Sequence, residues 1–194
     1  MFPIYFQLGL EHITDLNGSD HILFLVALCA IWEAKDWKRV LVLVTAFTVG
    51  HSLTLALAAF QVLLVPGDLI EQIIPVTILL TALLNLFQGP ASAPGHGKII
   101  SSKLMGHYLL ALGFGLIHGL AFSNFFRHLV GQESEIVTPL LQFNLGVEVG
   151  QVIIVGVFLG LNALVVGALN LSQKIWSVFF SILAIILTVF LLIL

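Results

Sequence analysis

Six apolar segments, separated by short polar breaks, fill most of this 194-residue chain. They run over residues 20–32, 40–61, 69–87, 104–126, 139–169 and 175–194. A helix needs about 20 apolar residues to cross about 30 Å of hydrocarbon. Inside lipid only helices and closed barrels satisfy their own backbone. Charged residues make up 9% of the chain and mean hydropathy is +1.13, against about 25% charged residues in soluble domains. The expected fold class is therefore all-α: a single polytopic membrane domain over 1–194 with six transmembrane helices. A short re-entrant or interfacial helix is expected over 6–16, where Phe6, Leu10 and Ile13 follow helical spacing.

The breaks read EAKDWKR, VPGD, QGPASAPGHGK, GQESE and LNLSQK. Gly89 to Lys103 forms the longest polar loop and holds His96, read as a solvated residue. Lys35, Lys38, Arg39, Lys98, Lys103 and Lys174 fall in alternate breaks, and Arg127 alone falls in the others. Basic residues mark the cytoplasmic side. Both termini are thus expected on the extracytoplasmic side of an inner (plasma) membrane. Glu11, Asp15, Asp68, Glu71, Glu133 and Glu135 then lie outward, a skew suited to drawing cations. The N-terminus lacks a basic n-region and a small-residue cleavage site, so no cleaved signal peptide is expected. A net charge of −3 gives no reason to expect nucleic acid. One cysteine, Cys29, rules out an internal disulfide and a cysteine metal cluster.

Ionisable residues in such a chain are costly, and inside a bilayer they mark function by default. The first apolar segment rises only about 18 Å, so His21 is expected well below the outer surface. Asn17-Gly18 signals a turn before it, and Ser19 or Asp20 is expected to cap the helix. His51 lies ten residues inside Gln61, or about 15 Å deep. His118 lies nine residues inside Arg127, and Glu148 nine beyond Pro139, each about 13 Å deep. These groups converge on one depth, as ligands do around broken helices in transporters. Thr45, Thr48, His51 and Ser52 share a face, and Asn144, Glu148 and Gln151 share a stripe. Gly115 with Gly119, Gly146 with Gly150 and Gly156 with Gly160 are spaced for close helix approach. The last pair is read as plain packing. Thr77, Thr81 and Asn85, around Pro75, are read as interhelical hydrogen bonders rather than a site. His107 is read chiefly as an interface residue, with an exit-side ligand as its alternative, and His128 as an outer-interface residue.

Imidazoles with carboxylates and no thiolate suit divalent Ni, Co, Zn or Cu. Such ligands bind metal only when deprotonated, so protons compete with the ion. No lysine lies within a span, which argues against a retinal-type Schiff base, and no G-x-S-x-G elbow is present.

The pieces GLEHITDLNGSDHILFLVAL, TAFTVGHSLTLALA, GFGLIHGLAFS and FNLGVEVGQ, spread over residues 9–151, make the chain similar to the HupE/UreJ family of small integral membrane proteins. That resemblance implies a nickel or cobalt permease. It carries the family's first motif onto His12, Asp20 and His21, and the later ones onto His51, His118 and Glu148. Seven residues separate His12 from Asp20 here, a longer spacing than the family's usual one.

The leading expectation is a divalent transition-metal permease, with nickel or cobalt as the carried ion. Asp20, His21, His51, His118 and Glu148 would form the site, with His12 and Asn144 as gate or outer-shell residues. The partners expected are the lipid bilayer and the ion, and the small-residue faces permit a homo-oligomer. The alternatives are an intramembrane zinc-dependent hydrolase, with an open zinc position for water, and a non-transporting accessory protein whose histidines bridge helices.

Overall fold

The computed structural model describes residues 4–16, 18–63, 65–91, 102–131 and 135–193. His96, Lys98 and Glu133 lie outside them, as does most of the polar loop expected between Gly89 and Lys103. The described chain is all-α. Its helices are α1 (Ile4–Thr14), α2 (Asp20–Cys29), α3 (Trp37–Ala59), α4 (Gly67–Gln88), α5 (Ser102–Val130), α6 (Val137–Asn162) and α7 (Gln173–Ile193). A 3₁₀ turn, Ala34–Asp36, leads into α3, and α6 runs on into six π-helical residues, Ala163–Ala168.

Five of these helices are long and apolar enough to cross a membrane, as a multi-pass membrane protein requires. Their outer faces leave large apolar side chains uncovered, among them Leu141, Leu145, Phe179 and Phe190. The sixth expected span departs from that length. α2 has ten residues and rises only about 15 Å. Ser19 stands at its N-cap position without a side-chain capping bond, contrary to expectation. Asp20 sits in the first turn, where a carboxylate complements the helix dipole.

α2 ends inside the protein, and its last carbonyls need partners. Gln173, at the start of α7, supplies them: its Nε2 donates to Ala30 O at 3.1 Å and to Trp32 O at 3.0 Å. Asn162 Nδ2 donates to Gln173 Oε1 at 2.9 Å, and Asn162 Oδ1 accepts from the Ala34 amide at 2.9 Å. Trp32 is fully buried against His107 with ring centroids 5.6 Å apart. Arg39 is likewise buried, paired with the buried Asp36.

Glycines set two helix crossings. A Cβ on Gly115 would run into the Phe47 backbone, and one on Gly119 into His51 and Thr54. These contacts draw α5 against α3. A Cβ on Gly146 would strike Phe6, and one on Gly9 would strike Phe143, so α1 lies as close against α6. The third pair, Gly156 and Gly160, was expected to pack. Among the described residues nothing lies within 4 Å of either Cβ position, so the expected packing is not made there.

Candidate metal centre

Those two crossings place the histidines. His51 rides on α3 at its contact with α5, and His118 on α5 one residue before Gly119. His12 rides on α1, which the glycines of α6 hold in place. His21, on the first turn of α2, enters between them. Ring centroids lie 4.6 Å apart for His12–His21, 5.0 Å for His21–His118, 5.8 Å for His12–His51 and 6.2 Å for His21–His51. His51 and His118 are wholly buried and His21 nearly so.

Two overlapping donor sets result. One is His12, His21 and His51; the other is Asp20, His21 and His118. Within each set the ligand atoms lie within 4.8 Å of one another, and His21 belongs to both. Despite the long spacing between His12 and Asp20, His12 lies beside His21, with a bend at Leu16 and a turn at Gly18 and Ser19 between their helices.

Neighbouring groups decide which ring nitrogens carry lone pairs. Thr77 Oγ1 donates its single proton to Ile74 O at 2.7 Å. Its 3.1 Å contact with His118 Nε2 must therefore be accepted from an Nε2–H. That tautomer leaves Nδ1 of His118 as a bare acceptor, and Nδ1 is buried without a partner. Asp20 Oδ1 lies 3.4 Å from His21 Nδ1. A carboxylate only accepts, so the proton of a neutral His21 belongs on Nδ1 and its lone pair on Nε2, again buried without a partner. His12 Nε2 is buried and unpartnered as well, and both nitrogens of His51 are buried, with the Asn144 side chain beside one of them. Leaving a polar atom in this state costs about 1–3 kcal/mol, and such atoms call for an explanation. Carboxylate or hydroxyl partners behind metal-binding imidazoles are the usual outer-shell arrangement.

The set opens on a cavity of about 210 Å³ lined by His12, Asp15, Asp20, His21, Glu71 and His118. Pro75 lies inside α4 beside it and lacks the amide that would bond the carbonyl of Glu71. The lining is thus acidic and rich in acceptors, which favours a cation.

Glu148 is placed differently from the depth argument. Its Oε1 accepts from Thr45 Oγ1 at 2.7 Å. Thr45 lies six residues from His51 along α3, or about 9 Å. Among the described residues Glu148 joins neither donor set. Thr48 Oγ1 donates to Gln151 Oε1 at 2.7 Å, so the two polar stripes expected on α3 and α6 face each other. Asn144 lies beside His51 at their upper end, with its Nδ2 donated to Leu140 O. His107 and His128 stand apart from the cluster, and His128 Nδ1 meets its own helix at Asn124 O, 2.7 Å away. The sequence reading passed over Thr77 as a site residue. The signal was present, because Thr77 lies two residues after the proline inside α4, yet its proximity to His118 comes only from the fold.

An all-helical, multi-pass membrane architecture with buried imidazoles around an acidic cavity is the class of protein these observations define. The chain belongs to the HupE / UreJ protein family, whose sequence profile matches residues 1–193. No curated protein and no solved structure matches it.

Proposed function

We propose that this protein is a divalent transition-metal permease that carries nickel or cobalt, as is associated with its family. The observation that carries the reading is that His12, His21, His51 and His118 each bring a buried ring nitrogen without a protein partner to two overlapping donor sets. Neutral imidazole with a carboxylate suits these metals. Asp20, His21, His51 and His118 bind the ion, and His12 completes the set. Asn144 steadies His51. Glu148 acts at a distance, below the imidazoles.

The basic breaks face the cytoplasm of an inner or plasma membrane, and both termini face outward. α2 is the sixth crossing element, a half-length helix completed on the outer side by the re-entrant α1. The acidic cavity is then the entrance.

The test is uptake of labelled Ni²⁺ or Co²⁺ into liposomes holding the purified chain. Wild type accumulates the ion, whereas His21→Ala and His51→Ala do not. Equal accumulation by all three would overturn the proposal.

A further inference from the structure

A second cavity, of about 220 Å³, lies further along the same helices. Leu28, Thr81, Asn85, Gln88, His107 and Phe114 line it. Three helices serve both cavities. α2 gives His21 to the first and Leu28 to the second; α4 gives Ile74 and Thr81; α5 gives His118 and Phe114. The steps are seven, seven and four residues, so one to two helical turns separate the two spaces.

The partition between them is apolar. Phe24, Ile78 and Phe114 are buried there. The Phe24 ring lies 5.1 Å from His118 and 5.7 Å from Phe114. Beyond it the lining turns polar again. The Nδ1 of His107 is buried without a partner, in a ring held edge-on against Trp32. Asn85 is fixed by donating Nδ2 to Ala27 O at 2.7 Å, and Thr81 Oγ1 donates to Thr77 O at 2.8 Å.

We propose that this second cavity is the exit half of the ion path, and that His107 with Asn85 forms a second, weaker site for a divalent cation there. The proposal rests on the permease reading above. One imidazole with neutral oxygens holds a transition metal less tightly than several imidazoles with a carboxylate. A site from which the ion must leave has to be weak. Phe24 and Phe114 form the gate between the two sites. The ion passes when these rings part, and the His118 side chain hands it across.

The experiment titrates the purified full chain with Co²⁺, followed by its visible absorption, alongside Co²⁺ uptake into liposomes. Wild type shows a tight and a weak class of site. His107→Gln removes the weak class, leaves the tight class unchanged, and slows uptake roughly tenfold, the lower end of the effect expected for loss of a metal-site partner. Gly106→Leu provides a second variant that keeps the fold, because Gly106 lines the cavity and nothing lies within 4 Å of its Cβ position. It fills the exit and slows uptake while the tight class persists. If both variants bind and transport as wild type does, while His21→Ala abolishes uptake, the exit site is wrong and the permease reading stands. If wild type neither binds nor moves Co²⁺, both readings fall.

Discussion

Thr77 holds His118 in a single tautomer: its hydroxyl proton goes to Ile74 O at 2.7 Å, and its oxygen accepts from His118 Nε2 at 3.1 Å. The lone pair of His118 is thereby committed to Nδ1, which is buried without a partner. Thr77→Val keeps the shape and removes the hydroxyl. The expected result is a 10- to 100-fold weaker metal affinity, with Thr77→Ser restoring most of it. Titration with Co²⁺ checks both variants.

His21 belongs to both donor sets, whereas His12 belongs to one. His21→Ala should therefore reduce metal binding more than His12→Ala. Comparing the two by isothermal titration tests the order, and a larger loss for His12→Ala would refute the shared role of His21.

Gly119 lies against the backbone of His51, where a Cβ has no room. Gly119→Val must push α5 off α3 and part His51 from His118. Overpacking of this kind costs about 1–3 kcal/mol, read as a lower midpoint of thermal unfolding, and metal binding should fall with it. Gly156→Ala is the matched control. Its Cβ meets nothing within 4 Å, so stability should hold or rise by up to about 1 kcal/mol.

Gln173 ties the end of α2 to α7 through Ala30 O, Trp32 O and Asn162. Gln173→Ala leaves two buried carbonyls without donors. The expected cost is about 1–3 kcal/mol, measured by thermal unfolding in detergent. Metal affinity in the folded protein should change little, because His21 lies at the other end of α2.

Acid should strip the ion. A protonated imidazole has no lone pair to give, so metal binding releases protons and weakens as pH falls. Co²⁺ affinity is therefore expected to fall on acidification, read by titrating Co²⁺ at a descending series of pH values. Affinity that does not change with pH anywhere in the series would refute binding through imidazole.

Much of the architecture was legible in the chain because lipid imposes simple rules. Long apolar runs must be helices, and the boundaries expected for α3 through α7 lie within a few residues of those observed. The histidines stood out because each is expensive in an apolar setting. Asp20, His21, His51 and His118 meet as their common depth implied. Depth is one coordinate, however, and it says nothing of rotation about a helix axis. That is why Glu148, counted to the same level, lies against Thr45. Spacing along the chain did not say where His12 would lie; its ring sits 4.6 Å from that of His21. Identical glycine motifs likewise proved unequal: two pairs bring helices together, and the pair at Gly156 and Gly160 faces nothing.

By itself, the sequence determined the helical membrane class, the segments that form it and the costly side chains within it. These follow from hydropathy, backbone hydrogen bonding and the energy of burying a polar group, all of which act locally. Only the tertiary structure decided that His21 is shared between two donor sets, that Thr77 fixes the His118 tautomer, and that Phe24 and Phe114 divide two cavities. Those relations depend on how close and at what angle helices cross. Gly115, Gly119 and Gly146 allow the crossings, but steric fit with a particular neighbour selects them.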